Sequence, residues 1–192
     1  MRTDARRRRF NIIRAACRLW RQLPAEEVTL TRVAREAEVG IATVYRNFAD
    51  RRELSIAAAT YLLERAVELQ AGALARFDTD PRGSWEGFVR QLVSMGLGTL
   101  VPALAPQHLA DLPEGLAAIR RQARTNMEAL LARAAASGLI GAQVSADEFV
   151  SWLTIASRPP VPAVAELNPQ ANDELIELIL EHGRLTAGNA TS

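Results

Sequence analysis

The stretch TLTRVAREAEVGIATVYRNF, residues 29–48, contains two apolar patterns that cannot lie on one straight helix. Both have helical spacing, i, i+1, i+4 in the first and i, i+4 in the second. Their members are Val33, Ala34 and Ala37, then Val44 and Phe48. Thr29 stands where an N-cap hydroxyl belongs, and Gly40 separates the two patterns. We therefore predict two short helices that meet at a steep angle across a turn of about three or four residues.

The second of these helices keeps a polar outer face. Its small and polar side chains are Thr43, Tyr45, Arg46 and Asn47. A hydroxyl, an amide and a guanidinium on the free face of a short helix suit the major groove of DNA. The pattern thus predicts a helix-turn-helix.

Specific residues at fixed positions give this stretch a family resemblance. They read Thr29, Val33-Ala34, Ala37-Glu38-Val39, Thr43-Val44-Tyr45, Asn47-Phe48 and Arg51-Arg52-Glu53-Leu54. In this order they resemble the DNA-binding motif of the TetR family of bacterial transcriptional regulators, over roughly residues 8–56. Three positions depart from the family pattern: Glu38 replaces the turn glycine, Ala42 a frequent glycine and Asn47 the usual histidine. Glu38 must then hold a turn conformation that glycine adopts at lower cost.

The resemblance implies a ligand-responsive regulator, most often a repressor, that binds a near-palindromic operator as a homodimer. It implies phosphate contacts from Thr29, Tyr45, Asn47 and Arg51. It places Ile41, Ala42, Thr43 and Arg46 nearest the base edges, with methyl contact to thymine from the two apolar residues. Arg8 and Thr31 complete the predicted DNA-binding set. Effector identity, operator sequence and the sign of the response are left open.

Charge is divided unevenly along the chain. Residues 1–52 hold 13 Arg and 6 Asp or Glu, a net charge of +7, whereas residues 53–192 hold 10 Arg and 16 acidic residues, a net charge of −6. A basic N-terminal part on an acidic remainder predicts a polyanionic partner for that part alone. Arg6 to Arg9 are consecutive, so residues 1–9 are interpreted either as a basic arm that contacts phosphate or the minor groove, or as the solvated start of helix 1.

We predict an all-α protein of about nine helices in two domains. Residues 1–52 would form the helix-turn-helix DNA-binding domain, and residues 53–192 a helical effector-binding and dimerisation domain. Helix 1 is expected from about Arg7 to Gln22, and helix 4 from a cap at Asp50 and Glu53 to about Leu74. Residues 77–83 are interpreted as a linker, with Ser84 capping a helix that runs to about Leu100.

Proline and glycine divide the rest of the chain. Residues 101–115 are expected to form at best a short helix between turns, and a helix at 116–137 should end at Gly138. Ser145 and Glu148 predict a capping box for a helix at 144–156, and residues 158–167 are predicted to be a loop. Asn168 and Pro169 should open the last helix as N-cap and N1.

Apolar residues of the second domain supply two candidate sites. The predicted effector pocket, open to plain core packing as the alternative, consists of Trp85, Phe88, Leu92, Met95, His108, Met127 and Leu131. The last helix is apolar nearly all round, which predicts burial on two sides, one of them against another subunit. The predicted dimer interface consists of Phe149, Trp152, Leu175, Leu178 and Ile179. Few charges project toward the pocket candidates, so a small apolar or weakly polar effector is expected.

Other classes of protein find little support. No GxSxG, HExxH, CxxC or glycine-rich phosphate loop is present, so an all-α enzyme is disfavoured and no cofactor is predicted. A helical adaptor that binds only proteins would leave the basic charge and the polar helix face unexplained. His108 with Asp111 is interpreted as a surface or pocket-rim pair rather than as a proton or ligand relay. Asp78 with Asp80 is interpreted as a solvated turn rather than as a metal site.

The single cysteine and the hydropathy bear on the compartment. Cys17 lies on the apolar face of helix 1, so a buried thiol is favoured over a redox sensor. No stretch reaches about 18 apolar residues and no secretory signal follows the N-terminal arginines, so no membrane partner is expected and the bacterial cytoplasm is the predicted compartment.

Overall fold

This structure, a computed structural model of the chain, describes residues 2–105 and 111–189. All regular elements within these ranges are helical, which confirms the all-α prediction. In chain order they are α1 (Arg2–Gln22), a 3₁₀ helix (Ala25–Glu27), α2 (Leu30–Glu36), α3 (Ile41–Asn47), α4 (Arg51–Arg76), α5 (Pro81–Ser94), α6 (Leu97–Leu104), α7 (Glu114–Ala136), α8 (Ala146–Ala156), α9 (Pro162–Leu167) and α10 (Ala171–Asn189). The described residues thus hold ten α-helices, where the sequence predicted about nine.

The chain divides into two compact units. The head unit comprises Met1–Leu62 with Leu100–Leu116, and the body unit comprises Leu63–Thr99 with Ala117–Ser192. The predicted domain boundary at residues 52/53 falls in the first turn of α4, whereas the units divide α4 after Leu62 and α6 after Thr99.

The head unit has its own apolar core. Helix α1 contributes the largest share: Cys17 is buried as the sequence predicted, and Ile12 and Trp20 are buried beside it. Helices α2 and α3, the start of α4 and Leu100 of α6 complete this core. Leu62 of α4 is partly buried and packs against this core.

Helix α1 begins earlier than predicted. It starts at Arg2, so the described part of the predicted basic arm is helical. Two local features account for this: arginine is a good helix former, and Asp4 in the first turn complements the helix dipole and pairs with Arg7 at 3.6 Å. The start of helix 1 therefore describes the backbone of residues 2–9, and phosphate contact by this segment stays a prediction.

Local caps explain where α4 and α5 begin. The Glu53 backbone N–H donates to Asp50 Oδ1 at 2.8 Å, the cap that the sequence predicted for α4. Residues 77–80 connect α4 to α5, as part of the predicted linker at 77–83. The rest of that linker and the Ser84 cap are wrong, because Asp80 accepts from the Gly83 N–H and Pro81 occupies the first turn of α5. Ser84 lies buried inside this helix. A proline at N1 lacks only an N–H that would be unpaired there, so it starts a helix more readily than it ends one.

The predicted helix to about Leu100 is interrupted. Helix α5 ends at Ser94, and Gly96 takes a positive φ of 88° before α6 begins. Gly98 in α6 lies against the end of α8, where an added Cβ would be 2.3 Å from the Ser157 carbonyl carbon. A larger residue could not be accommodated at this close approach without a backbone shift.

The later helix ends follow the predicted caps in part. Gly138 has a φ of +69° directly after α7, and the Leu139 N–H donates to the Ala134 carbonyl at 2.8 Å, as a glycine C-cap requires. The predicted capping box of Ser145 and Glu148 is present at the start of α8. The predicted loop at 158–167 is wrong in its second half, which forms α9 behind Pro162. Asn168 accepts from the Gln170 N–H in a turn, and α10 starts only at Ala171.

The body unit packs around the aromatic residues of α5 and α8. Trp85 lies 5.0 Å from Phe149 and 6.2 Å from Phe88 between ring centroids. Ion pairs join helices at its surface, among them Arg90 of α5 with Glu177 of α10 at 2.9 Å and Arg124 of α7 with Asp147 of α8 at 2.8 Å. In the described ranges no single helix is long and apolar enough to cross a membrane; α5 and α6 together meet that test, with a bend of 53°.

Candidate functional site

Helix α2 is fixed by one cap and three buried side chains. Thr29 Oγ1 accepts from the Arg32 backbone N–H at 3.2 Å, so the predicted N-cap role is confirmed. Leu30, Val33 and Ala34 are buried in the head core. Thr29 and Thr31 are both exposed, which leaves their hydroxyl groups on the outer surface of the head unit.

The turn after α2 uses a left-handed residue. Glu38 has a φ of 54°, the conformation that the sequence required at this position. The Val39 N–H reaches back to the Ala34 carbonyl at 3.0 Å, which closes the turn and ends α2. Gly40 then starts α3 with extended backbone angles. The predicted helix-turn-helix is therefore present.

Helix α3 separates a buried side from an exposed one. Val44 is fully buried, as is Phe48 directly after the helix, whereas Ile41 and Ala42 are exposed. Tyr45 is 56% exposed, so its hydroxyl group points away from the head core as predicted. Thr43 and Asn47 are half-buried at the edge of this exposed side. An exposed face with this mixture of methyl groups and polar groups can contact both bases and phosphates.

Two predicted DNA-contacting side chains lie along α3 itself. Arg46 donates from Nε to the Ala42 carbonyl at 3.2 Å and from Nη2 to Thr43 Oγ1 at 3.0 Å. Asn47 Nδ2 donates to the Thr43 carbonyl at 2.8 Å. The Arg46 side chain is exposed, so exchanging these bonds for bonds to DNA would require only a side-chain rotation.

Arg9 positions α3, a role that the sequence reasoning missed. Its guanidinium lies 4.2 Å from the centroid of the Phe48 ring, and Nη1 donates to the Asn47 carbonyl at the end of α3. It also lies 3.9 Å from a Glu53 carboxylate oxygen. In the sequence, Arg6 to Arg9 form a uniform basic segment. In the structure Arg9 is half-buried and Arg8 is exposed, because the position of Arg9 on α1 faces α3.

Arg51 has a partner within the protein. The family resemblance implies a phosphate contact for this residue, which lies in the first turn of α4, where a cation opposes the helix dipole. Its Nη2 donates to the Ala25 carbonyl of the 3₁₀ helix, while the side chain remains exposed. This bond supplies a local reason for the arginine, which the sequence did not reveal.

The predicted effector-pocket residues belong to one buried cluster of the body unit. Its buried members among them are Trp85, Phe88, Leu92, Met127 and Leu131, with Met95 half-buried against the cluster. His108 lies outside the described residues. The sequence reasoning overlooked Gln70 of α4, which is buried and donates from Nε2 to the Ala123 carbonyl of α7 at 2.9 Å.

The predicted dimer residues do not all lie on the surface. Trp152, Leu175 and Leu178 are exposed, and Ile179 is half-buried against the body core. Phe149 is 0% exposed because it packs against Trp85 within the same chain, so we do not retain it as an interface residue. The sequence reasoning passed over Ile155 of α8, which is 73% exposed.

Asp78 and Asp80, the acidic pair weighed as a metal site, have structural roles. Asp80 caps α5, and Asp78 pairs with Arg133 at 3.2 Å. Across the described part of the chain, no group of three or more His, Cys, Asp or Glu side chains is placed to hold a metal ion.

All regular elements in the described part of the chain are helical. One of them belongs to a helix-turn-helix with a polar exposed face, within a segment of net charge +7. These features define a helix-turn-helix DNA-binding regulator. Comparison with known families agrees. Residues 12–58 match the model described as bacterial regulatory proteins, tetR family, and residues 80–182 match the model described as transcriptional regulator SbtR-like, C-terminal domain. The chain belongs to the TetR family; it is a DNA-binding transcriptional regulator and not an enzyme.

Solved structures support the assignment over nearly the whole chain. The TetR transcriptional regulator SCO0520 from Streptomyces coelicolor is 26% identical with a TM-score of 0.63, and the match covers 92% of this chain and 98% of that one. A TetR transcription regulatory protein from Mycobacterium vanbaalenii is 24% identical, with a TM-score of 0.63 and coverage of 93% and 98%. A TetR family regulator from Marinobacter aquaeolei is 19% identical, with a TM-score of 0.55 and coverage of 98% and 95%. These last two matches bear on the fold alone. No curated protein sequence matches the chain significantly.

Proposed function

We propose that this regulator is a repressor that binds a near-palindromic operator as a homodimer and is released by a small, largely apolar effector. The observation that carries the proposal is the exposed face of α3, with Tyr45, Arg46 and Ile41 outward, in a segment of net charge +7. A recognition helix with this face reads one half-site, and two copies related by a two-fold axis read two.

The proposed contacts divide into positioning and reading. Thr29, Thr31 and Tyr45 hydroxyls, with Asn47, Arg51 and Arg8, bind phosphates and set the register of the head unit on DNA. Ile41, Ala42, Thr43 and Arg46 lie nearest the base edges. Arg46 is the best candidate for direct readout, because a guanidinium can donate two hydrogen bonds to one guanine. Arg51 keeps its Ala25 contact in this arrangement and offers its remaining donors to DNA.

The test is a binding titration with selected and random DNA. Fluorescence anisotropy on the DNA upstream of the protein's own gene, and on sequences enriched from a random pool, should give a site preference of at least about 10³-fold over random DNA. Affinity should fall steeply with salt for both DNA types, because phosphate neutralisation releases counterions. Equal affinity for all sequences would contradict the operator proposal. A selected sequence without two-fold symmetry would contradict the proposed pairing of half-sites.

Two exposed apolar surfaces support the proposed homodimer. Trp152 and Ile155 of α8, with Leu175 and Leu178 of α10, expose large apolar side chains on two helices that contact each other. Surfaces of this kind in a globular protein usually contact another protein. Sedimentation velocity of the DNA-free protein should show a dimer at micromolar concentration. A monomer under these conditions would contradict the proposal.

The buried cluster of the body unit supports an apolar effector. Its aromatic residues and methionines present few polar groups, so burying a charged molecule there would carry a large desolvation penalty. A thermal-shift screen of small molecules, followed by anisotropy with the selected operator, tests this part. A compound that stabilises the protein and lowers operator affinity supports release of the DNA by the effector. A compound that stabilises the protein and raises operator affinity would show that the effector promotes DNA binding instead. DNA binding would place the protein in the bacterial cytoplasm.

A further inference from the structure

One buried amide in the body unit is only half satisfied. Gln70 of α4 is 2% exposed, and its Nε2 donates to the Ala123 carbonyl of α7 at 2.9 Å. Among the described residues, Gln70 Oε1 has no hydrogen-bond partner. Since both atoms belong to one planar amide, the oxygen is held between α4 and α7 by the bond that its nitrogen makes.

The fold does not require this amide. Ala123 lies in the interior of α7, where the helix itself supplies a backbone donor four residues later for each carbonyl. A leucine or methionine at position 70 would remove a buried polar group that lacks a partner. Buried polar groups are nearly always paired, so an unpaired one calls for an explanation, and such exceptions concentrate at functional sites.

The neighbours of Gln70 make its surroundings adaptable. Ala66 and Ala73, one turn before and after it on α4, are both buried, and so is Ala123 on α7. Met127, one turn beyond Ala123, belongs to the same buried cluster as Trp85 and Phe88. The three alanine side chains are small and the methionine side chain is flexible, so a small molecule could enter between α4 and α7 with little rearrangement.

Polar groups are scarce in this region. Gln70 and Ser84 are the two buried polar side chains among the described residues, and neither carries a charge. A molecule that enters the cluster therefore meets apolar surface almost everywhere. A charged group on that molecule would have no partner of opposite sign among these buried side chains, whereas one hydroxyl or N–H group could bond to Oε1.

We propose that Gln70 determines effector specificity: its Oε1 accepts a hydrogen bond from the single hydroxyl or N–H group of an otherwise apolar, uncharged effector. The inference rests on the proposed effector response and adds the chemical class of the molecule. Gln70 acts as the polar anchor, and the aromatic residues of the cluster contribute apolar contact. A site that hydrogen-bonds a polar group of its ligand rejects an analogue without that group. A purely apolar pocket discriminates less between such ligands.

The experiment uses the full-length protein without DNA and pairs of probes that differ by one donor. Suitable pairs are 2-naphthol with 2-methoxynaphthalene and indole with 1-methylindole, measured by isothermal titration and thermal shift. The wild-type protein should bind the donor member of a pair about 5- to 10-fold more tightly, the expected size for one neutral hydrogen bond. Equal affinity for both members, or no binding of any probe, overturns the inference without need of a variant.

Two variants separate the amide from general effects. Gln70→Met should abolish the donor preference and keep or raise the melting temperature, because it removes an unpaired buried oxygen. Gln91→Met makes the same change at an exposed position of α5 and should behave as wild type. A donor preference that survives in Gln70→Met would overturn the proposal, because another group would then accept the hydrogen bond. A melting temperature lowered by several degrees would also overturn it, because the amide would then be structural.

The outcome is independent of the DNA measurements. Operator binding with no donor preference would overturn the role of Gln70 and leave the regulator proposal intact. A donor preference that depends on Gln70, in a protein that selects no operator, would support the role of Gln70 and overturn the operator proposal.

Discussion

Glu38 is, among the described residues, the one non-glycine residue with a positive φ, at 54°. This conformation costs an L-residue roughly 1–2 kcal/mol. Glycine has no Cβ and avoids part of that cost. Glu38→Gly should therefore raise the free energy of unfolding by about 0.5–1 kcal/mol in chemical denaturation. Glu38→Ala removes the same charge but keeps a Cβ, so it should give no such gain. Equal effects of both variants would assign the change to charge instead of backbone strain.

Tyr45 offers the clearest separation of DNA contact from stability. Its exposed hydroxyl should contribute little to folding, so Tyr45→Phe should change the free energy of unfolding by less than about 0.5 kcal/mol. If the hydroxyl binds a phosphate, operator affinity should fall by roughly 0.5–1.5 kcal/mol. Tyr61→Phe is the matched control, because Tyr61 packs edge-on against Phe10 on another helix of the head unit. Loss of affinity in the control, or none in Tyr45→Phe, would exclude the proposed contact.

Cys17 is buried as the sequence predicted, and its environment suppresses the thiolate. Burial raises the pKa of the thiol from 9.0 to about 11, against the opposing influence of Arg21 and then Arg18. Because the folded-state pKa is the higher one, the stabilisation is complete below pH 9.0 and is lost as the pH rises toward about 11. The loss of unfolding free energy attributable to this thiol should be about 3 kcal/mol.

The measurement is the free energy of unfolding across this pH range in wild type and Cys17→Ala. The variant should show a shallower decline, and the native wild-type thiol should react with thiol reagents only after unfolding. Parallel declines, or rapid labelling of the folded protein, would contradict the burial argument.

Helix α8 tests how much a local cap contributes to a packed helix. Ser145 Oγ accepts from the Glu148 N–H at 3.3 Å, and the Glu148 carboxylate accepts from the Ser145 N–H at 3.0 Å. Ser145→Ala should lower the free energy of unfolding by about 1 kcal/mol. Ser151 is an exposed residue in the middle of the same helix. Ser151→Ala should not lower the free energy of unfolding, because alanine is the better helix former.

The same cap has a pH signature. The hydrogen bonds from Ser145 lower the pKa of Glu148, so this contribution is present above the ordinary glutamate pKa and is lost as the pH falls through the lowered folded-state value. The difference between wild type and Ser145→Ala should therefore shrink in acid. A difference that stays constant down to about pH 3 would show that the carboxylate plays no part.

The assembly of the molecule is best tested at Leu178. This side chain is 58% exposed, whereas Ile179 beside it packs on the body core, so a charge at 178 tests association and a charge at 179 would also test folding. Leu178→Asp should raise the dimer dissociation constant at least about 100-fold, because an interface would bury an unpaired carboxylate. Its melting curve should stay cooperative.

Analytical ultracentrifugation over a concentration series gives the readout. Val101→Asp, the same change at an exposed residue of α6, should leave association unchanged. A Leu178→Asp protein that dimerises as tightly as wild type would exclude α10 from the interface. The monomeric variant should also lose most of its operator affinity, since two linked head units bind two half-sites far more tightly than one.

The sequence alone determined the features that depend on neighbours along the chain. The helix-turn-helix, the caps at Thr29, Asp50 and Ser145, and the glycine after α7 were all predicted, because each involves hydrogen bonds between residues two to five positions apart. The apolar spacing of α3 also predicted that Tyr45 would be exposed, since Val44 had to face the core. These same local patterns carried the family resemblance.

Only the tertiary structure decided which apolar and polar side chains meet partners far away in sequence. Phe149 and Trp152 share an apolar helix, yet one packs on Trp85 and the other is exposed. The Arg51 contact with Ala25 and the Gln70 bond to Ala123 span 26 and 53 residues. Helical periodicity tells which residues share a face, but the burial of that face depends on which helix packs against it, and that is settled by the packing of the whole core.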